Sequence, residues 1–123
     1  MSSNKHESSP VDLDYLFDAA GGTESDVREL VELYLRVTAE QLESLSDLIK
    51  RGDVNATKRV AHTLIGSSVT CGMTAIVQLL RKLEQISSMS DLVEAEKLLA
   101  QINREFERTQ AFLGEYIHNP SRA

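Results

Sequence analysis

Tryptophan is missing from the 123-residue chain, phenylalanine and tyrosine number three each, proline occurs twice and cysteine once. A core is still affordable, because 41% of the residues are hydrophobic, but it has to be aliphatic, built from Leu, Ile, Val, Ala and Met. The lone Cys71 excludes an internal disulfide and a cysteine-based zinc site, and fits a reducing compartment. No stretch reaches the roughly 18 apolar residues of a membrane span. Met1 to Pro10 is polar and lacks the apolar core of a signal peptide, so a cytoplasmic location is expected, with no membrane partner. Positive charge is also scarce: 13 Lys and Arg stand against 19 Asp and Glu, a net charge of -6 that argues against a partner held through nucleic-acid phosphates. Glycine-rich phosphate loops, His-Glu-x-x-His, nucleophile elbows and kinase signatures are all absent, which leaves no recognisable ATP or metal site.

What is present is helical periodicity. The length matches one domain on a prior of roughly 100–200 residues each. Pro10 and Pro120 bracket an uninterrupted interior, so the reading divides the chain into a flexible tail over 1–10, a helical bundle over 11–117 and a second flexible tail over 118–123. Val11, Tyr15, Leu16 and Ala19 predict a short first helix ended by Gly21-Gly22. Thr23 then caps a long helix with an inward stripe of Val27, Leu30, Val31, Tyr34, Leu35, Thr38, Leu42, Leu45 and Ile49, closed by Lys50, Arg51 and Gly52. Asp53 caps a third helix that reaches Cys71. A fourth carries Met73, Ile76, Leu79, Leu80, Leu83 and Ile86. Ser87-Ser88-Met89-Ser90 is the next turn, and Asp91 opens a last helix with Leu92, Ala95, Leu98, Leu99, Ile102, Phe106, Leu113 and Ile117 inward. Short turns make such helices antiparallel neighbours. The expected fold is all-α: an up-down-up-down four-helix bundle with a short extra helix at the N-terminus, and no sheet.

Of the three histidines, His6 and His118 fall in the predicted tails and His62 lies inside the bundle. On a wheel of about 100° per residue, Val60, Ala61, Leu64, Ser68 and Cys71 mark the core face of the third helix, and His62 points roughly 150° away. Lys58 and Arg59 lie one turn before it and Gly66 one turn after. A mid-helix glycine costs about 0.5–1 kcal/mol relative to alanine, and an outward position gives no packing reason for it. A bulky partner approaching over a bare Gly66 supplies one. Neutral imidazole is a competent nucleophile, and Lys58 and Arg59 can offset the roughly two negative charges of a phosphoryl group placed on it. The plain alternative is a polar surface histidine beside a solvated basic pair. Cys71, inward-facing, reads as a small buried apolar residue.

The segment Ala61-His62-Thr63-Leu64-Ile65-Gly66-Ser67-Ser68-Val69-Thr70-Cys71-Gly72-Met73 resembles the phosphorylation motif of histidine phosphotransfer domains, with Ala61, His62, Leu64, Gly66, Ser67, Ser68 and Gly72 in register. The resemblance implies a helical bundle in which His62 is the phospho-acceptor, Gly66 admits a receiver domain, and Ser67 and Ser68 pack against neighbouring helices. It further implies a docking face of Gly66, Ile65 and Val69 edged by Lys58 and Arg59. Two positions depart from the family: Ile65 stands where lysine is usual, and Glu84 where several members carry a glutamine able to bond the imidazole. By the same resemblance the protein is a phosphocarrier rather than an enzyme, needs no cofactor of its own, and relies on Mg²⁺ held by the partner receiver. Receiver domains and hybrid or other histidine kinases are its expected partners, and it is expected to be monomeric. A second reading is an unphosphorylated adaptor on the same fold, which binds a receiver or kinase as scaffold or competitor.

Overall fold

Local capping chemistry sets where the helices of this chain start and stop. In the computed structural model, which describes residues 9–86 and 91–118, five helices follow one another: α1 (Leu13–Ala20), α2 (Glu24–Arg51), α3 (Val54–Thr70), α4 (Thr74–Glu84) and α5 (Leu92–His118). Three begin with a side chain that takes up an otherwise orphaned amide: Asp12 accepts from Tyr15 N–H, Thr23 from Asp26 N–H and Asp53 from Ala56 N–H. Gly21 (φ 119°) and Gly52 (φ 73°) end α1 and α2 in the left-handed region. Lys50 and Arg51 lie in the last turn of α2, where the helix dipole favours positive charge. The predicted turn at 87–90 and most of both predicted tails lie outside the described residues.

Helices α2 to α5 form the bundle. The pairs α2–α3, α3–α4, α4–α5 and α5–α2 pack, and α1 lies against α2. No strand occurs among the described residues. The core is aliphatic as composition requires, with Leu16, Val31, Leu45, Leu64, Met73, Ile76, Leu80, Leu83, Ile102 and Leu113 fully buried. Each contributes about 1.5–3 kcal/mol by leaving water. Among the described residues one buried side-chain bond crosses this core: the Tyr34 and Ser68 hydroxyls lie 2.7 Å apart and tie α2 to α3. Burial holds the Tyr34 phenol above its ordinary pKa, partly offset by its bond to Ser68, so it stays protonated.

Several residues sit differently from the periodic reading, each for a geometric reason. On α1 the inward stripe is Leu13, Leu16, Phe17 and Ala20, an i, i+3, i+4, i+7 set, and it leaves Tyr15 and Ala19 exposed. Leu30, Leu35, Val60, Leu79, Leu92 and Ile117 flank the core half-buried, while Val77 and Thr109 join it. His118 ends α5 rather than beginning a tail, and its Nδ1 bonds the Gly114 carbonyl at 2.8 Å.

The N-terminal boundary also shifts, because Pro10 is buried and bonded. Met73, the residue before α4, gives that helix no side-chain cap. The Pro10 carbonyl supplies one instead, accepting from Ala75 N–H at 3.3 Å and from the Thr74 hydroxyl at 3.4 Å. Next to it, Asp12 N–H donates to the Gly72 carbonyl at 2.8 Å, and Val11 is buried. Residues 9–12 thus form a strap across the α3–α4 turn. Gly72 makes this contact possible: its φ is +77°, and a Cβ there would lie 2.9 Å from the Asp12 carbonyl oxygen. Gly72→Ala is therefore expected to cost about 1–3 kcal/mol, through backbone strain and a displaced strap. A urea titration would show this as a lower midpoint at unchanged slope.

Candidate functional site

His62 stands on α3 with its side chain 77% exposed, on the flank facing α4. Opposite it, Glu84 ends α4, and Glu84 Oε2 lies 2.5 Å from His62 Nδ1. A carboxylate offers only acceptor atoms, so the hydrogen of this bond sits on Nδ1. The other ring nitrogen, Nε2, then carries its lone pair outward. Holding one nitrogen as N–H by a carboxylate is a common way to fix an imidazole's tautomer and orientation.

The His62–Glu84 pair marks the antiparallel register of α3 against α4. In that register Val69 falls opposite Val77, and both line a groove whose other walls include Asp12, Tyr15, Gln78 and Arg81. Along α3 the residues beyond His62 leave the surface low. Gly66 is exposed, and a Cβ built on it meets nothing within 4 Å. Val69 is 44% exposed, an apolar side chain in an open groove. The hydroxyls of Thr63 and Thr70 turn back onto the Arg59 and Gly66 carbonyls, at 3.1 and 2.9 Å. Toward the start of α3, Arg59 is exposed and Lys58 half-buried, both one turn from His62.

One predicted docking residue is misplaced by the sequence reading. Ile65 is only 6% exposed and belongs to the core. It lies one turn after Ala61 and next to Leu64, both fully buried, so α4 packing against α3 closes over it. Ser68 is buried as expected and Ser67 half-buried, its hydroxyl bonding the Leu64 carbonyl at 3.2 Å. The sequence marks Tyr15 only as a first-helix residue, and it does not single out Val77 or Arg81 at all. Val77, Arg81 and Glu84 share one face of α4 at i, i+4, i+7, a pattern visible once Glu84 is paired with His62. Cys71 is buried, and burial raises its thiol pKa, which suits packing rather than reactivity. Among the described residues, no cluster of three or more His, Cys, Asp or Glu side chains could hold a metal ion, and no helix is long and apolar enough to cross a membrane.

A family model, the Hpt domain, matches residues 29–112, well over half of the chain and the whole of α3 and α4. The chain belongs to the Hpt domain family. No curated protein sequence matches this Hpt domain. Its fold is similar to the crystal structure of histidine-containing phosphotransfer protein B from Pseudomonas aeruginosa PAO1, with a TM-score of 0.75, 21% identity and coverage of 90% of this chain and 96% of that one. Membership supports a phosphotransfer role, and places the motif around His62 within the matched segment.

Two measurements follow from the geometry of this Hpt domain. Glu84→Ala should shift the neutral His62 imidazole from a predominantly Nδ1–H form toward a mixture of tautomers, read from its ring ¹⁵N shifts. Gly66→Ala should stabilise the isolated protein by about 0.5–1 kcal/mol in chemical unfolding, since α3 gains a better helix former at an open position.

Proposed function

We propose that this Hpt domain is a phosphoryl carrier in a multistep two-component relay, accepting the group on His62 and passing it to a receiver-domain aspartate. The observation that carries this reading is the bond from His62 Nδ1 to Glu84, which leaves Nε2 as the exposed nucleophile beside a surface stripped of side chains at Gly66.

Nε2 attacks the phosphorus of an aspartyl phosphate on the donor receiver. The new N–P bond forms as the acyl P–O bond breaks, and the electron pair leaves with the donor carboxylate. The ring keeps its Nδ1 proton and becomes a phosphorylated imidazolium, with its positive charge facing the Glu84 carboxylate. Run backwards onto another aspartate, the same path discharges the carrier. A histidine kinase is the other possible donor. Mg²⁺ and the remaining electrostatic stabilisation belong to the receiver, so this chain supplies a nucleophile and a docking face.

That face consists of Gly66 and Val69, edged by Lys58 and Arg59, with Ile65 serving beneath it as core. An apolar Val69 beside a polar nucleophile gains from being covered by a partner. Monomeric, cytoplasmic behaviour completes the reading.

Incubation with a phosphorylated receiver and Mg²⁺ should give acid-labile, base-stable label in the wild type and none in His62→Gln, with both proteins equally helical by circular dichroism. Gly66→Glu should fold normally and lose transfer by at least tenfold, because a long side chain blocks the approach. Retained receiver binding without any label would instead favour an adaptor.

A further inference from the structure

A phosphoryl group on His62 Nε2 brings close to two negative charges to a poor place for them. Glu84 is already there, α4 ends there with its carbonyls and the negative pole of its dipole, and the chain as a whole carries a charge of -6. Toward the C-terminus of α3, the helix offers no help, since Ile65 is buried, Gly66 has no side chain and Val69 is apolar. The opposite helix does. Arg81 lies one turn before Glu84 on the same face of α4, at the level of Ile65 and Gly66 in the antiparallel register. It is exposed and lines the inter-helix groove, where it is the only cation among the lining residues. Its helix dipole accounts for a positive charge in the last turn, but Lys82, in the same turn and not part of the groove lining, meets that need equally.

We propose that Arg81 is a further site residue, the guanidinium that receives the phosphoryl oxygens of phospho-His62 across the bare surface of Gly66. This rests on His62 carrying the group. A planar, always-charged fork suits phosphate oxygens, and no side chain at Gly66 stands in its path. Among the described residues Arg81 makes no ion pair, and the one carboxylate sharing its groove, Asp12, is engaged as the cap of α1 through Tyr15 N–H. Lys58 and Arg59 lie on the far side of His62, toward the start of α3, so they approach from another direction.

The test charges the protein without a partner, using phosphoramidate, which gives its phosphoryl group to Nε2 and releases ammonia. Wild type, Arg81→Gln, Arg81→Lys and His62→Gln are compared by ³¹P NMR over pH, with thermal unfolding confirming that each is folded. In Arg81→Gln the phosphoryl pKa, ordinarily about 6, should rise by about 0.5–1 relative to wild type. Its phosphohistidine should decay faster, and Arg81→Lys should restore part of both effects. An Arg81→Gln titration and decay identical to wild type overturns the role of Arg81 while leaving the carrier intact. Identical titration combined with slower transfer from a phosphorylated receiver also overturns it, because the guanidinium then contacts the partner. A wild-type signal that His62→Gln does not remove overturns the carrier reading, and the role of Arg81 with it.

Discussion

The site depends on the register of α3 against α4, and that register is set at the turn between them. Gly72, in the left-handed region at φ +77°, reverses the chain within the few residues between Thr70 and Thr74. Side chains at equal distances from the turn then face each other, which brings the last residue of α4 level with the middle of α3. A slip of one residue would rotate Glu84 by about 100° around its helix and remove it from His62. The α3–α4 pairing is thus both a major seam of the bundle and the ruler that measures out the site.

Within that frame a single imidazole is asked to do two things, and its two nitrogens divide them. Nδ1 is committed to the protein through Glu84, while Nε2 is left to the solvent. The division keeps the proton that matters for orientation away from the atom that reacts. It also places a negative charge on the side of the ring where positive charge develops. The cost is a local field hostile to an arriving anion, which is why the placement of cations around His62 matters more than their number.

Much of the fold was legible in the chain. Thr23, Asp53, Gly21 and Gly52 punctuate the helices where local chemistry says they should, because capping involves residues only two or three apart. The outward direction of His62 and the bareness of Gly66 followed from periodicity alone. What periodicity could not supply was the position of a neighbouring helix. Ile65 sits at the margin of the α3 core stripe, and only the approach of α4 decides that it is buried. Tyr15 was misread for the complementary reason: α1 is short, and eight residues carry too little periodicity to distinguish an apolar ring facing in from one facing out. Arg81 was invisible because its significance lies in what stands across the groove. Pro10, read as part of a tail, is fixed by bonds to Thr74 and Ala75 that no local pattern announces.

The strap at residues 9–12 has a consequence for how the molecule breathes. It is held by a few hydrogen bonds and the burial of Pro10 and Val11, while the bundle behind it is held by an entire aliphatic core. Its opening is therefore a sub-global event, far less costly than unfolding, and the amides of Asp12 and Ala75 are the reporters that would exchange with solvent first. Because Asp12 belongs to the strap and lines the groove beside Tyr15 of α1, each such opening also disturbs that wall and withdraws the Pro10 carbonyl from the start of the helix that carries Glu84 and Arg81. One wall of the groove is accordingly tied to the strap, at the opposite end of α4 from the residue that holds the imidazole.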